Sequence, residues 1–548
     1  MNVAEAVGQT LAGLGVNHAF GVVGSGNFHV TNALVTGGAR FVAARHEGGA
    51  ATMADAYARV SGTVAVLTVH QGCGLTNALT GITEAAKSRT PMIVLAAETT
   101  ARRSNFFVDQ AALATAVGAV ALRVTSPASA VAETAAAFYL ARDERRTVLL
   151  NLPLELQGQD LPDDARTVPP PPSAISPALD GAGVARLVDA LKTARRPVFI
   201  AGRGARSPAA RDAITELAEA TGALLATSAV ARGLFHGHPF GLDVSGGFAS
   251  PLAAELITGA DLVVGWGCSM NMWTMRHGRL IGPDATVAQI DVDTDSLGAN
   301  RPIDIGIAAD AAAAARGASA ALAADGYHDT GYRSDDLARR LKSQLRWRDV
   351  PYDDDSTEQL IDPRTLSIGL DDILPAERIL AIDSGNFMGY PSMFLSVPDE
   401  NGMCFTQAYQ SIGLGLATAI GAALARPDRL PVAALGDGGA LMGIAELDTV
   451  VRLGIGMLIV VYNDDAYGAE VHHFTGGDHS MDTVTFPETD IAAIGTGFGC
   501  DAVTVRSQED IEAVREWVRG PRESPLVVDA KVTREQPSWW LEEAFRGH

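Results

Sequence analysis

Cysteine is scarce in this chain. The four present, Cys73, Cys268, Cys404 and Cys500, are scattered, and no two form a Cys-x-x-Cys pair. That spacing points away from a zinc site and from a disulfide framework. Basic residues are outnumbered: 42 Lys and Arg stand against 64 Asp and Glu, for a net charge of −22. A surface of that sign repels nucleic acid and anionic membranes, so neither is expected as a partner. No apolar run reaches the length of a membrane span. The opening Met1-Asn2-Val3-Ala4-Glu5 lacks the basic stretch and apolar core of a secretory signal, so a cytoplasmic protein is expected. What the chain does have is 57 glycines and 47% hydrophobic residues over 548 positions. That combination suits several domains with large cores and many tight turns.

Strand-like and helix-like stretches alternate along the chain, which predicts an α/β protein of three parallel-sheet domains. The expected bounds are 1–165, 179–330 and 360–548. Pro169-Pro170-Pro171-Pro172 marks a first linker, stiffened by its prolines, and Asp353-Asp354-Asp355 a second, solvated one. In the first unit, Val3 to Leu14 reads as an amphipathic helix, and a helix following Glu47 sets Ala50, Met53, Ala54 and Tyr57 on one face. In the second unit, Gly202-Arg203-Gly204 follows a strand, a weak nucleotide-like signal without a full GxGxxG.

The densest chemical signal lies in the third unit. An apolar run, Leu430 to Leu435, leads into Gly436-Asp437-Gly438-Gly439. A helix is expected over Leu441 to Leu453, then a second buried strand from Met457 to Tyr462 leading into Asn463-Asp464. Strand, helix and strand of this length make a right-handed crossover between parallel strands. Asp437 and Asp464, 27 residues apart, therefore fall on one carboxyl edge of one sheet, where open α/β sheets bind ligands. Two hard oxygen donors beside a helix N-terminus suit a divalent cation bridging to a diphosphate. The plainer alternative is a strand-to-helix turn in which Asp437 is an N-cap.

Gly-Asp-Gly, the 27-residue gap and the Asn-Asp turn resemble the diphosphate motif of thiamine-diphosphate enzymes. The branch is that of acetolactate synthase, benzoylformate decarboxylase, pyruvate decarboxylase and benzaldehyde lyase. The likeness runs over nearly the whole chain. One departure is Asp464, where the branch usually has Asn; an Asp carboxylate is an equally hard ligand. The resemblance implies thiamine diphosphate and Mg2+ as cofactors, with the ion held by Asp437, Asp464 and the Ala466 carbonyl. It implies a cofactor bed of Ser384, Gly385, Asn386, Gln410, Ile412, Gly436, Asp437, Gly438, Gly439, Asp464, Tyr467 and Gly468. Arg45-His46-Glu47 before an Ala-rich helix resembles the family's activating-glutamate segment, so Glu47 would hydrogen-bond the aminopyrimidine ring. On its own, Glu47 reads equally as an acidic residue favoured by the helix dipole.

Four further groups bear on the substrate. Ser25 and His70 fall where benzoylformate decarboxylase carries a Ser and a His; Gln110 resembles the active-site Gln of acetolactate synthase. Glu470 aligns with the catalytic Glu of pyruvate decarboxylase, with His472 and His473 beside it. A core histidine and a solvated helix face are the bland readings of His70 and of the Glu-His-His cluster. The function implied is decarboxylation of a 2-oxo acid and transfer of the acyl unit to a second carbonyl, an aldehyde or ketone. A simple decarboxylase releasing an aldehyde competes closely. The chain lacks an Arg or Trp after the metal turn, and a Lys near position 123, that acetolactate synthase would carry. A non-catalytic regulator or scaffold on the same fold is the reading from another class. By resemblance, Glu47 and Asp437 meet across a subunit interface, which implies a homodimer or homotetramer. FAD follows from fold analogy with acetolactate synthases alone and is the less favoured expectation.

Overall fold

The computed structural model describes residues 1–172, 179–475, 477 and 479–546. The first unit holds strands His18–Gly21 (β1), Arg40–Ala43 (β2), Ala65–Val69 (β3), Met92–Glu98 (β4), Val120–Arg123 (β5) and Thr147–Pro153 (β6). They form one sheet in the order β2-β1-β3-β4-β6-β5, parallel throughout. β3, β4 and β6 are buried along their whole length. Helices cover both faces of such a sheet, so its strands read as continuous apolar runs.

The second unit holds Pro197–Ala201 (β7), Leu224–Thr227 (β8), Gly241–Val244 (β9), Leu262–Trp266 (β10), Thr286–Asp291 (β11) and Ile305–Ala308 (β12). Its order, β12-β11-β10-β7-β8-β9, is the doubly wound order of nucleotide-binding sheets read from the far edge. The third unit holds Arg378–Ile382 (β13), Met403–Cys404 (β14), Leu430–Gly436 (β15), Leu458–Asn463 (β16), Asp501–Val505 (β17) and Leu526–Lys531 (β18). Its order, β14-β13-β15-β16-β18-β17, repeats that of the first sheet position for position.

The first and third units share one apolar cluster. Ala50, Met53 and Ala54 of the helix Glu47–Ser61 pack with Leu416, Ala417 and Ile420 of the helix Gly415–Ala425. Gly421 allows the approach, since a Cβ there would collide with the Met53 carbonyl. The one-sided helix expected after Glu47 is thus corrected: every residue from Ala50 to Ala58 is buried. A small-residue helix wedged between its own sheet and another unit has no solvent face to mark with polar residues.

The expected helix over Leu441 to Leu453 is also corrected. A helix Asp437–Gly443 gives way to a 3-10 turn Ile444–Glu446, then a helix Leu447–Arg452. The break turns Glu446 inward. Its carboxylate accepts the N–H groups of Arg45 and His46 at 3.0–3.1 Å and the Thr449 hydroxyl at 2.6 Å. Among the described residues no helix is long and apolar enough to cross a membrane.

Candidate active site

In the third sheet the strand order reverses between β13 and β15, and ligand crevices of open α/β sheets lie at such a point. Three chain turns leave that edge together. β13 ends in Asp383-Ser384-Gly385-Asn386, β15 in Gly436-Asp437, and β16, paired in parallel with β15, in Asn463-Asp464. Asp437 is not the helix cap. Gly436 takes that position, and the Asp437 carboxyl reaches the Gly438 N–H and the Asp464 side chain. Burial raises both carboxyls above the ordinary range, and the charge of Asp437 lifts Asp464 further. Two buried carboxyls sharing a hydrogen bond form a site that a divalent cation relieves of both repulsion and desolvation.

The surrounding glycines are set by side chains rather than by open space. A Cβ on Gly468 would strike the Asp464 carboxylate, one on Gly438 the Tyr467 ring, one on Gly439 the Asp383 carboxylate, and one on Gly436 the Phe387 ring. Asp383 is fully buried and binds the N–H groups of Ser384 at 2.8 Å, Gly413 at 2.9 Å and Leu414 at 3.3 Å. Burial lifts its carboxyl to about 6 against those donors. It ties the 383–386 turn to the segment carrying Gln410 and Ile412. Asp383, an acidic residue ending a buried strand before a glycine turn, repeats the pattern at Asp437 and is a site residue without a named role in the sequence motifs.

Gln410 is exposed and its backbone is left-handed, with φ 59°; Asp465 is left-handed at φ 51°. Both strained positions stand on turns of this edge. Ala466 forms an antiparallel bridge with Thr485 through flanking groups: Tyr467 N–H to the Val484 carbonyl and Phe486 N–H to the Asp465 carbonyl, each 2.8 Å. That pattern leaves the Ala466 carbonyl outside the bridge. Tyr467 meets Phe486 edge to face at 5.0 Å. On the following helix, Gly468–Phe474, Glu470 and His473 are exposed, while His472 is half-buried with its Nε2 unpartnered among the described residues. Burial lowers the His472 pKa, opposed by Glu535.

The first sheet carries a second group at its own reversal point, between β1 and β3. Ser25 follows β1 and His70 follows β3; their Oγ and Nε2 lie 3.4 Å apart. His70 Nδ1 lies 3.0 Å from the Gln71 carbonyl, which can only accept. The neutral ring therefore carries its proton on Nδ1 and offers Nε2 to the Ser25 hydroxyl. Phe106 stands edge-on to the ring at 5.2 Å. His70 is thus neither a buried core residue nor alone. Glu47, partly exposed at its helix N-terminus, accepts from Asn77 Nδ2 at 3.1 Å. Within one chain its turn rests on Glu446, and among the described residues no hydrogen bond or ion pair joins it to Asp437 or Asp464.

Gln110 lies behind the glycine turn that follows His70. Its amide is buried and committed at both ends: Nε2 donates to the Ala97 carbonyl and Asn151 Oδ1 at 3.1 and 2.8 Å, and Oε1 accepts Gly72 N–H at 3.0 Å. It shapes the glycine turn after His70, with both Nε2 protons used and one lone pair of Oε1 left over. Glu446 was invisible for a different reason: its partners lie 400 residues away in sequence, and nothing near it marks the contact.

A groove of about 370 Å³ separates the middle unit from the other two, lined among others by Arg89, Arg145, Arg203, Asp291, Trp273 and Trp540. The Gly202-Arg203-Gly204 turn opens onto it.

Three family models match the chain. "Thiamine pyrophosphate enzyme, N-terminal TPP binding domain" matches residues 1–122, the family's central domain 184–317, and its C-terminal TPP binding domain 383–530. The sulfoacetaldehyde acetyltransferase of Rhodobacter capsulatus is 29% identical, over 94% of this chain and 91% of its own. A protein of Pseudomonas aeruginosa named "Probable 2-ketoarginine decarboxylase" is 27% identical, over 95% and 91%. The acetolactate synthase large subunit of Parasynechococcus marenigrum is 26% identical, over 97% and 87%.

Proposed function

The chain belongs to the thiamine pyrophosphate enzyme family, and from that premise we propose a Mg2+-dependent enzyme that decarboxylates a 2-oxo acid and passes the acyl unit to a second carbonyl compound. The observation that carries the reading is the buried Asp437–Asp464 pair at the reversal point of the third sheet. Its donor set fits the missing groups: hard oxygens for a divalent ion, and the N-terminus of the helix Asp437–Gly443 for a diphosphate. Asp437, Asp464 and the Ala466 carbonyl would hold the ion. Ser384, Gly385, Asn386, Gly436, Gly438, Gly439, Tyr467 and Gly468 would line the diphosphate end, with Gln410 and Ile412 between the rings. When bound, thiamine diphosphate supplies a carbon nucleophile and an electron sink for decarboxylation.

The residues of this chain handle protons and orientation. Glu47, steadied by Asn77, would hold a proton at a cofactor ring nitrogen. Ser25 and His70 form a relay whose tautomer the Gln71 carbonyl sets, so the Nε2 end can take a proton from the substrate side and return it. Glu470, His472 and His473 are further proton carriers from the opposite unit. We place the functional units at 1–165, 179–330 and 360–548. Neither step changes net oxidation state, so a flavin would have no redox task here and remains the less favoured expectation.

Relatives named as acetyltransferase and acetolactate synthase favour transfer over simple release. The Ser25–His70 relay favours the second reading, a decarboxylase, because a placed proton donor ends the reaction at the aldehyde. Titration with thiamine diphosphate in Mg2+ buffer tests the cofactor. Pyruvate or benzoylformate, with and without an acceptor aldehyde, then separates the outcomes: acyloin supports transfer, free aldehyde alone overturns it. Retention of all activity by Glu47→Gln would leave only a non-catalytic role for this edge.

A further inference from the structure

The C-terminal segment touches three regions that the proposed chemistry needs in register. Arg534 Nη1 donates to the Asp464 carbonyl at 3.1 Å. Ser538, almost fully buried, donates its N–H to Asn386 Oδ1 at 2.9 Å and its hydroxyl to the Asn386 carbonyl at 2.7 Å. Trp540 Nε1 donates to that same carbonyl at 3.1 Å. Both oxygens of Asn386 are thus held from one short stretch. The fit is close: a Cβ on Gly389 would strike the Trp540 ring.

Beyond Ser538 the segment is fastened to the middle unit. Arg279 Nε donates to Glu543 Oε1 at 3.0 Å, and its Nη2 to the Glu543 carbonyl at 3.0 Å. The Arg276 guanidinium lies 4.2 Å from the centre of the Trp539 ring. The Trp540 ring meets Trp273 and Phe248 at 6.4 and 6.2 Å. Four side chains of the middle unit (Arg276, Arg279, Trp273 and Phe248) and two turns of the third, at Asn386 and Asp464, therefore converge on one strip of chain.

The consequence falls on Asn386. A side-chain amide has an acceptor end and a donor end. With Oδ1 taken by the Ser538 N–H, the amide cannot flip, and Nδ2, which has no hydrogen-bond partner among the described residues, is turned the other way as a donor. The turn it stands on runs through Gly385 at φ 139°, a backbone conformation that favours glycine.

We infer that residues 534–546 are a strap that locks the ligand turns at Asn386 and Asp464 to the middle unit, with Ser538 and Trp540 as positioning residues that present the Asn386 amide to an anion. The anion is the diphosphate of the cofactor, so the inference rests on the proposed function. It gives the middle unit a task in cofactor affinity.

The test is calorimetric titration of the full-length protein with thiamine diphosphate at fixed Mg2+. The Ser538→Ala/Trp540→Phe double variant loses two of the three bonds on Asn386, and its Kd rises about tenfold while kcat at saturating cofactor stays within about twofold. Arg279→Met, on the middle unit, raises Kd by about threefold, and adds nothing further when combined with the double variant. A purely structural role would move the urea midpoint of the cofactor-free protein instead and leave Kd alone. Trp540→Phe by itself keeps an aromatic ring while removing the Nε1 donor, and serves where the double variant folds poorly. Wild-type Kd in that single variant overturns the strap. Failure of the wild type to take up thiamine diphosphate overturns the site reading itself.

Discussion

The Asp437–Asp464 pair makes a pH prediction with a definite sign. Burial holds both carboxyls above their ordinary value of 3.8, so the folded chain binds protons there more tightly than the unfolded chain does. Their contribution to stability is therefore complete below about pH 4 and is lost as pH rises through about 6 and beyond. A cation must displace that proton. Mg2+-supported cofactor binding should strengthen with rising pH and release protons, which calorimetry in two buffers of different ionisation enthalpy measures. Asp464→Asn removes one carboxylate. It should stabilise the cofactor-free protein at pH 8 in urea unfolding and reduce the proton release. His70→Ala should lower kcat by about 10²-fold or more and flatten the pH–rate profile, and Ser25→Ala should cost less, because the imidazole remains. Asp437 and Asp464 were legible because short acidic turns at strand ends have a recognisable grammar. The bonds of Gln110 were not legible, because sequence reports an amide but not which groups it meets.

Elements show the same division between what is local and what is not. Buried parallel strands such as β15 and β16 announce themselves as apolar runs before acidic turns, and their ends fell within a residue of expectation. The break at Ile444–Glu446 did not, because its cause is a carboxylate reaching N–H groups of a distant unit. The Glu47–Ser61 helix misled for a related reason: its alanines serve two neighbours, and only one was foreseeable. That contact gives a prediction at this scale. Gly421→Ala places a methyl against the Met53 carbonyl and should destabilise the protein by about 1–3 kcal/mol in urea unfolding, with Kd for the cofactor largely kept. Gly468→Ala should do the reverse. Its methyl meets the Asp464 carboxylate, so cofactor binding in Mg2+ should fall by about tenfold or more while the urea midpoint barely moves.

At the scale of the molecule, two sheets of identical strand order each bring a ligand edge to their reversal point, and a middle sheet of nucleotide-binding order lies between them in sequence. One edge carries Ser25, His70 and Glu47; the other carries Asp437 and Asp464. Within one chain the Glu47 turn is fastened to Glu446, beyond the far end of the helix that begins at Asp437. Both edges also leave apolar side chains in the open: Phe28 and Phe106 on the first unit, Leu441, Met442, Phe474 and Phe486 on the third. The dimer implied by the family resemblance would draw each site from two chains. Subunit complementation decides it. Glu47→Gln and Asp437→Asn should each be inactive alone. Refolded together as an equal mixture, they should form half heterodimers, each with one site carrying both native residues, and recover about a quarter of wild-type activity. If Glu47 and Asp437 serve one site from the same chain, every site in the mixture carries a defect and mixing restores nothing.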